Sequence, residues 1–238
     1  MLRNNCLSCA IRDRAICQAL PDAALVQLNQ MARRRTVKAG QRIFEDGADV
    51  PMVANIVSGV VRLSKSLADG RTQIVGLMFP TEFLGRPFAM GGGVMAEAAT
   101  TVVLCSFTQR QMEHMLVTHG ELQQHFVRRT IEQLDAAREW MLLLGRKTAI
   151  ERVASFILLC ADKMHPEDCR SEGRAALAPV ELPLSRTETA DFLGLTLETV
   201  GRMIKKLETA GLIENHSNRT LTILDRERLA RQSEPELP

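Results

Sequence analysis

Apolar positions along this chain change their period more than once. Short apolar runs come first: Ile43-Phe44, Val53 to Val57, Val60 to Leu63 and Gln73 to Phe79. Gly40, Gly47, Gly59, Gly70 and Gly85 punctuate them at roughly ten-residue intervals. That cadence predicts short antiparallel strands closed into a barrel or jelly roll, with Asp69-Gly70 as a hairpin turn. Ala98 to Phe107 reads as the last β run; Val102, Leu104 and Ser106 fall on one face and Val103, Cys105 and Phe107 on the other. From Glu121 to Lys147 the period becomes helical. Val127, Thr130, Leu134, Ala137, Met141 and Leu144 alternate spacings of three and four, an a/d seam. No Pro and no internal Gly interrupts this run before Gly145, and it is about twice the usual helix length. Such a seam pairs two copies of the chain, or it belongs to the core helix of one large domain. Shorter helices flank these regions: Pro21 to Met31, with Leu25, Leu28 and Met31 on one face, and Ala149 to Ala161, with Val153, Phe156, Ile157 and Cys160 on one stripe.

Beyond a Pro-, Gly- and charge-rich connection from Met164 to Pro183 lies the clearest signal. Ser185 and Glu188 form a capping box that opens a short helix ending near Leu193. Gly194 supplies a turn, Thr196 caps a second helix and Gly211 stops it. Helix, tight turn, helix is the geometry of a helix-turn-helix. Leu212-Ile213, Ser217-Asn218 and Leu221 to Ile223 then read as a hairpin wing. On the second helix Val200, Ile204 and Leu207 face inward, whereas Glu198, Arg202, Lys205 and Lys206 face out. A glutamate near the N-terminus accepts from cytosine N4, an arginine donates two bonds to guanine O6 and N7, and lysines suit phosphates. Glu198, Thr199, Arg202, Lys205 and Lys206 are therefore the candidate DNA-contacting residues. The fold class is α+β: a cysteine-rich segment over 1–20, a β-roll (jelly-roll) sensor domain over 21–120, a dimerisation helix over 121–147 and a winged helix-turn-helix domain over 148–238.

Composition adds limits. The formal net charge is +2, so bulk charge says little about nucleic acid, although arginines crowd the start of the chain at Arg3, Arg12, Arg14, Arg33, Arg34 and Arg35. No apolar leader opens the chain and the most apolar window, Val153 to Ala161, is too short to span a bilayer, so a cytoplasmic protein is expected. Its six cysteines then read as metal-binding, redox-active or buried, not as a disulfide framework. Cys6, Cys9 and Cys17 form C-x2-C-x7-C, which suits zinc or an iron–sulfur cluster, with one ligand to come from elsewhere. A redox dithiol at Cys6 and Cys9 fits the same spacing. Cys105 reads locally as a small core residue, Cys160 as buried and inert, and Cys169 as exposed in the connection. No Ser-His-Asp ordering, phosphate loop or H-E-x-x-H motif supports an enzyme, and His114, His119 and His125 read as solvated.

With these motifs laid out, the chain resembles the CRP/FNR superfamily of bacterial transcription regulators from Cys6 to about Ile223. TLETVGRMIKKLETAGLI is similar to its recognition helix, with the E-x-x-x-R core at Glu198 and Arg202; DGRTQIVGLMFPTEFLGRP resembles its β-roll. QLDAAREWMLLLGRK and the C-x2-C-x7-C spacing resemble the FnrL/FnrN branch. That resemblance implies an oxygen-labile [4Fe-4S] cluster on Cys6, Cys9, Cys17 and Cys105, which reverses the local reading of Cys105. It implies a homodimer on double-stranded DNA at a TTGA-type palindromic operator, and RNA polymerase as a partner by analogy. Cyclic-nucleotide-binding relatives hold ribose and phosphate with Gly-Glu and Arg-Ser; here those places read Gly85-Arg86 and Glu97-Ala98, so no cyclic nucleotide is expected. Gly201 departs from the serine that usually precedes the recognition arginine in FNR-type readers, and it relaxes the expectation for the outer thymine.

The resemblance also implies a switch in which the ligated N-terminal segment repacks the start of the long helix and lets the seam pair. Glu132, Asp135 and Glu139 beside the seam are expected to repel across the dimer and keep it marginal. Two rival expectations stand: a FixK-like regulator without a cluster, with Cys169 as a possible redox thiol, and a zinc-stabilised structural or interaction protein.

Overall fold

The structure, a computed structural model, describes residues 6–45, 52–89, 93–164 and 179–234. Gly47 and Cys169 lie outside them. The chain divides into two compact units, Met1–Ala136 and Ala137–Pro238, and the division falls inside one long helix.

In the first unit, 3-10 turns at Cys6–Ser8 and Ile16–Ala19 lead into helix α1 (Asp22–Met31). Then come strands β1 (Arg33–Val37), β2 (Arg42–Phe44), β3 (Met52–Ser58), β4 (Val61–Ser66), β5 (Thr72–Met78), β6 (Phe83–Leu84), β7 (Met95–Ala98) and β8 (Val102–Thr108). Among the described residues these make two antiparallel sheets, ordered β1-β8-β3-β6 and β2-β7-β4-β5. The expected β-roll is present. Strand alternation gives the first sheet two apolar faces. Ala54, Ile56, Val102 and Leu104 enter a core shared with Val61, Met78, Ala96 and Ala98 of the second sheet. On the opposite face Val53, Phe83 and Phe107 pack with α1 residues Leu25 and Leu28 and with the N-terminal segment. Gly85, just after β6, shows how tight that layer is. Its φ is +112°, and a Cβ there would lie 2.8 Å from Val53 Cγ1 and 3.0 Å from Val53 Cα.

Helix α2 (Gln109–Thr118), which the sequence reading did not separate, starts at a capping box of Thr108 and Gln111. It buries Met112, Met115 and Leu116 in the cysteine-containing core. The long helix, α3, spans Gly120–Arg146.

In the second unit Trp140, near the end of α3, stacks on Phe192 at 4.2 Å. Helix α4 (Ala149–Met164) buries Val153, Phe156, Ile157 and Cys160 as the stripe predicts. Helix α5 (Arg186–Leu193) carries the predicted capping box of Ser185 and Glu188 and ends on Gly194 at φ 62°. Helix α6 (Leu197–Thr209) is capped by Thr196. Strands β9 (Val180–Glu181), β10 (Ile213–Asn215) and β11 (Thr220–Ile223) form a sheet ordered β10-β11-β9, followed by helix α7 (Arg226–Ser233). Strand β9 falls inside the stretch read as a plain connection, and the wing is three-stranded because of it. Two residues were too few to show an alternating pattern.

Candidate functional site: a thiol layer and a nucleic-acid interface

Two sets of residues carry the chemistry, one in each unit. In the first, α1 and one face of the first sheet hold a group of thiols. The Cys6 amide donates to Asn29 Oδ1 on α1 (3.2 Å), and Arg12 Nη2 bonds Asp22 Oδ1 (2.6 Å). Arg129 of α3 donates through Nη2 to the carbonyl of Arg14 (2.6 Å), so the segment between Cys9 and Cys17 is fastened to the long helix as well. Cys17 is buried, and Cys6, Cys9 and Cys105 pack half-buried against the same apolar cluster.

The four sulfurs influence one another. Burial pushes the Cys105 thiol up to about 12, and negative charge on Cys6, Cys9 or Cys17 pushes it the same way. Burial likewise raises Cys17 to about 11, with Cys9 and Cys6 adding to it. Cys6 is raised by burial and then by Cys9. Arg34 acts in the opposite sense on Cys6 and Cys105, and Arg12 does so on Cys17. Arg12 lies in the loop between Cys9 and Cys17, where spacing alone suggests a counter-charge. Arg34 was missed, although it stood in view within Arg33-Arg34-Arg35; strand pairing puts it opposite Cys105.

The donor set can be tested against the two metals its spacing allowed. A tetrahedral zinc site needs its sulfurs about 2.3 Å from one ion. Among the described residues no group of three or more His, Cys, Asp or Glu is arranged to hold a metal ion. A four-iron cluster places each thiolate on a different iron and so asks for thiols around a wider space. Four thiols from two chain segments, packed beside one apolar cluster, supply the donor chemistry of such a cluster.

His125 is not simply solvated as expected. It lies half-buried in a polar cleft of about 650 Å³ beside Arg128, Arg129 and Gln18. Its Nε2 has no hydrogen-bond partner among the described residues, and burial, then Arg129 and Arg128, lower its pKa. Along α3 itself, Val127, Thr130, Leu134, Ala137 and Met141 are exposed, whereas Leu144 is half-buried. Ile131 and Leu142 widen this exposed apolar stripe. Glu132 is paired with Arg129 at 3.1 Å, which weakens the repulsion expected of it.

In the second unit α6 turns Val200, Ile204 and Leu207 inward. Its outer face presents Glu198 and Arg202 one turn apart, with Lys205 and Lys206 beyond, all exposed. Lys205 is held by Glu208 (2.8 Å), and Thr199 is half-buried, its amide bonded to the Thr196 cap (3.2 Å). Thr199 therefore belongs to the cap as much as to the outer face. Arg186 of α5 reaches Asn215 Oδ1 (2.7 Å) and Arg219 reaches Glu188 (3.3 Å), so the first helix and the wing are fixed to each other. A capped helix with a cationic outer face beside a rigid wing defines a winged helix-turn-helix DNA-binding module.

Comparison with known proteins agrees. Residues 151–232 match the Crp-like helix-turn-helix domain, and residues 34–119 match the cyclic nucleotide-binding domain. The chain is 41% identical over 226 residues to the "Probable transcriptional activator" of Rhizobium leguminosarum bv. viciae, covering 95% of this chain and 92% of that one. It is 37% identical over 232 residues to the transcriptional activator protein FnrL of Cereibacter sphaeroides, covering 97% and 92%. The structure of FixK2 from Bradyrhizobium japonicum superposes with a TM-score of 0.75 at 30% identity, covering 87% of this chain and 99% of that one. The chain belongs to the CRP/FNR family and is a transcription regulator of the FNR/FixK type, not an enzyme. Among the described residues no helix is long and apolar enough to cross a membrane.

Proposed function

We propose that this chain is an oxygen-responsive regulator that acts in the cytoplasm, binding a TTGA-type palindrome as a homodimer when Cys6, Cys9, Cys17 and Cys105 hold a [4Fe-4S] cluster. The observation that carries this reading is the meeting of Cys105, from strand β8, with the three N-terminal cysteines in one apolar layer. Bound there, an all-thiolate cluster supplies a redox-labile centre. The chain's own residues do the rest. Ligation by both segments holds the N-terminal loop on the β-roll, and the Arg129 bond to Arg14 passes that constraint to α3. The exposed stripe through Val127, Leu134 and Met141 then pairs with its copy, and a bias of a few kcal/mol is enough to move a marginal dimer equilibrium. Pairing sets two recognition helices about 34 Å apart on successive major grooves. Glu198 and Arg202 read a G·C pair, and Lys206 takes a phosphate.

Cyclic nucleotide is not the ligand in this reading. Glu97, where a phosphate needs a cation, is almost fully buried and bonds Arg62 (2.5 Å), so carboxylate and guanidinium satisfy each other. RNA polymerase is the onward partner by family analogy, with Arg71 and the exposed residues Thr72, Gln73 and Val75 at the start of β5 as its candidate contact.

The test is iron and acid-labile sulfide per subunit in protein purified without oxygen, with DNA retardation before and after aeration. About four of each, lost together with DNA binding, is the expected result. The likeness to FixK2 favours a second reading, a FixK-like regulator without a cluster. Iron-free protein that still binds the palindrome would establish it.

A further inference from the structure

The thiol layer contains one polar side chain that none of these roles uses. Asn55 on β3 is 2% exposed, and its Oδ1 has no hydrogen-bond partner among the described residues. Register places Asn55 directly opposite Cys105 on β8, while Arg34 on β1 stands opposite Cys105 from the other side. Directly opposed residues of antiparallel strands project to the same face, with Cβ atoms about 4.5–5.5 Å apart. Phe83, the partner of Asn55 on β6, lies on that face too, with Val53 and Phe107. It is the face against which Cys6, Cys9 and Cys17 pack. A carboxamide thus sits among apolar side chains beside a thiol, with an unmet acceptor. Buried polar groups without partners are uncommon, and leucine would fill nearly the same volume without leaving one.

We propose that Asn55 is a positioning residue for the thiol layer, donating an N–H hydrogen bond to the sulfur of Cys105, or to a sulfide beside it, when that sulfur ligates iron. This rests on the cluster reading above. A protonated thiol is a weak donor, whereas a ligating thiolate only accepts; a carboxamide offers an acceptor on one edge and two donors on the other. A half-turn of the amide lets one side chain face either form. Arg34 favours negative charge at the same sulfur but is exposed, so solvent and salt screen it. Asn55 is shielded from both. An N–H aimed at a cluster sulfur stabilises the more negative, reduced state, and so raises its potential and fastens the ligand.

The experiment compares wild type, Asn55→Leu and Asn55→Ser, all purified without oxygen. It reads iron and sulfide content, the rate of iron loss to a chelator, the midpoint potential, and the stability of the iron-free protein in urea. The leucine variant is expected to lose iron about tenfold faster or more and to have a lower midpoint potential, while its iron-free form is at least as stable as wild type. Serine keeps a donor and falls between the two. Asn55→Ala, which lacks the donor and adds no bulk, repeats the measurement if the leucine variant does not fold. Iron loss and potential equal to wild type in the donor-free variant overturn the role of Asn55 and leave the cluster reading standing. Iron-free wild-type protein overturns both.

Discussion

Crowded backbone and buried thiols give the sharpest expectations for single residues. Gly85 combines a φ of +112° with a Cβ position 2.8 Å from Val53 Cγ1. Gly85→Ala should therefore cost at least about 1–3 kcal/mol from the backbone alone, seen as a lower melting temperature. Gly201 is the opposite case. It lies inside α6, and a Cβ there would meet nothing within 4 Å. Gly201→Ala should stabilise the helix by about 0.5–1 kcal/mol, and a melt reports that separately from any change in operator preference. Cys160 is fully buried, and burial raises its thiol well above the ordinary value of 9.0. Its contribution to stability is present below pH 9 and lost above it, because the unfolded chain releases that proton first. Urea unfolding across that range should show stability falling as pH rises, and less steeply in Cys160→Ala. The same buried thiol should resist alkylation until the chain unfolds. Arg202→Ala should cost about 1–3 kcal/mol of discrimination at one base pair, measured by retardation on matched and substituted operators.

At the scale of elements, α3 and α6 were the most legible because each carries its period over several turns. On the predicted seam, Val127, Leu134 and Met141 are 50%, 50% and 69% exposed, and an unpaired helix gains little by showing such a stripe to water. Leu134→Arg with Met141→Glu should shift sedimentation of the anaerobic protein to the monomer, while circular dichroism stays unchanged; a dimer that persists would assign the stripe elsewhere. The end of the seam was less legible. Leu144 is half-buried, and Trp140 and Leu143 are drawn into the core of the second unit, which no helical period reveals. The caps of α5 and α6 were readable from Ser185, Glu188 and Thr196 because capping depends on neighbours within three residues. Short β6, β7 and β9 were not, since two to four residues give no period and their partners lie far along the chain.

For the whole molecule, each half has its own observable. DNA affinity should fall steeply with salt, and Lys206→Ala, which in the proposed dimer removes one phosphate contact per subunit, should reduce the slope of log K against log salt by about 2. Cys105→Ser acts on the other half: it should abolish anaerobic DNA binding while the second unit unfolds at its wild-type temperature. The two substitutions separate reading of DNA from permission to read it.

What the sequence by itself determined was local or periodic: the β-roll cadence, the long helix, the capped helix-turn-helix and its outward residues, and the three N-terminal cysteines. Those features depend on backbone preference and on spacing within a few turns. Only the tertiary structure decided which distant groups meet. From its own strand Cys105 reads as a small core residue; register alone sets it between Arg34 and Asn55, under the N-terminal segment. The Arg129 bond to Arg14 joins residues 115 positions apart, and the Arg62–Glu97 pair joins residues 35 apart. Sequence spacing carries no information about such contacts, because they are selected by the packing of whole faces against each other.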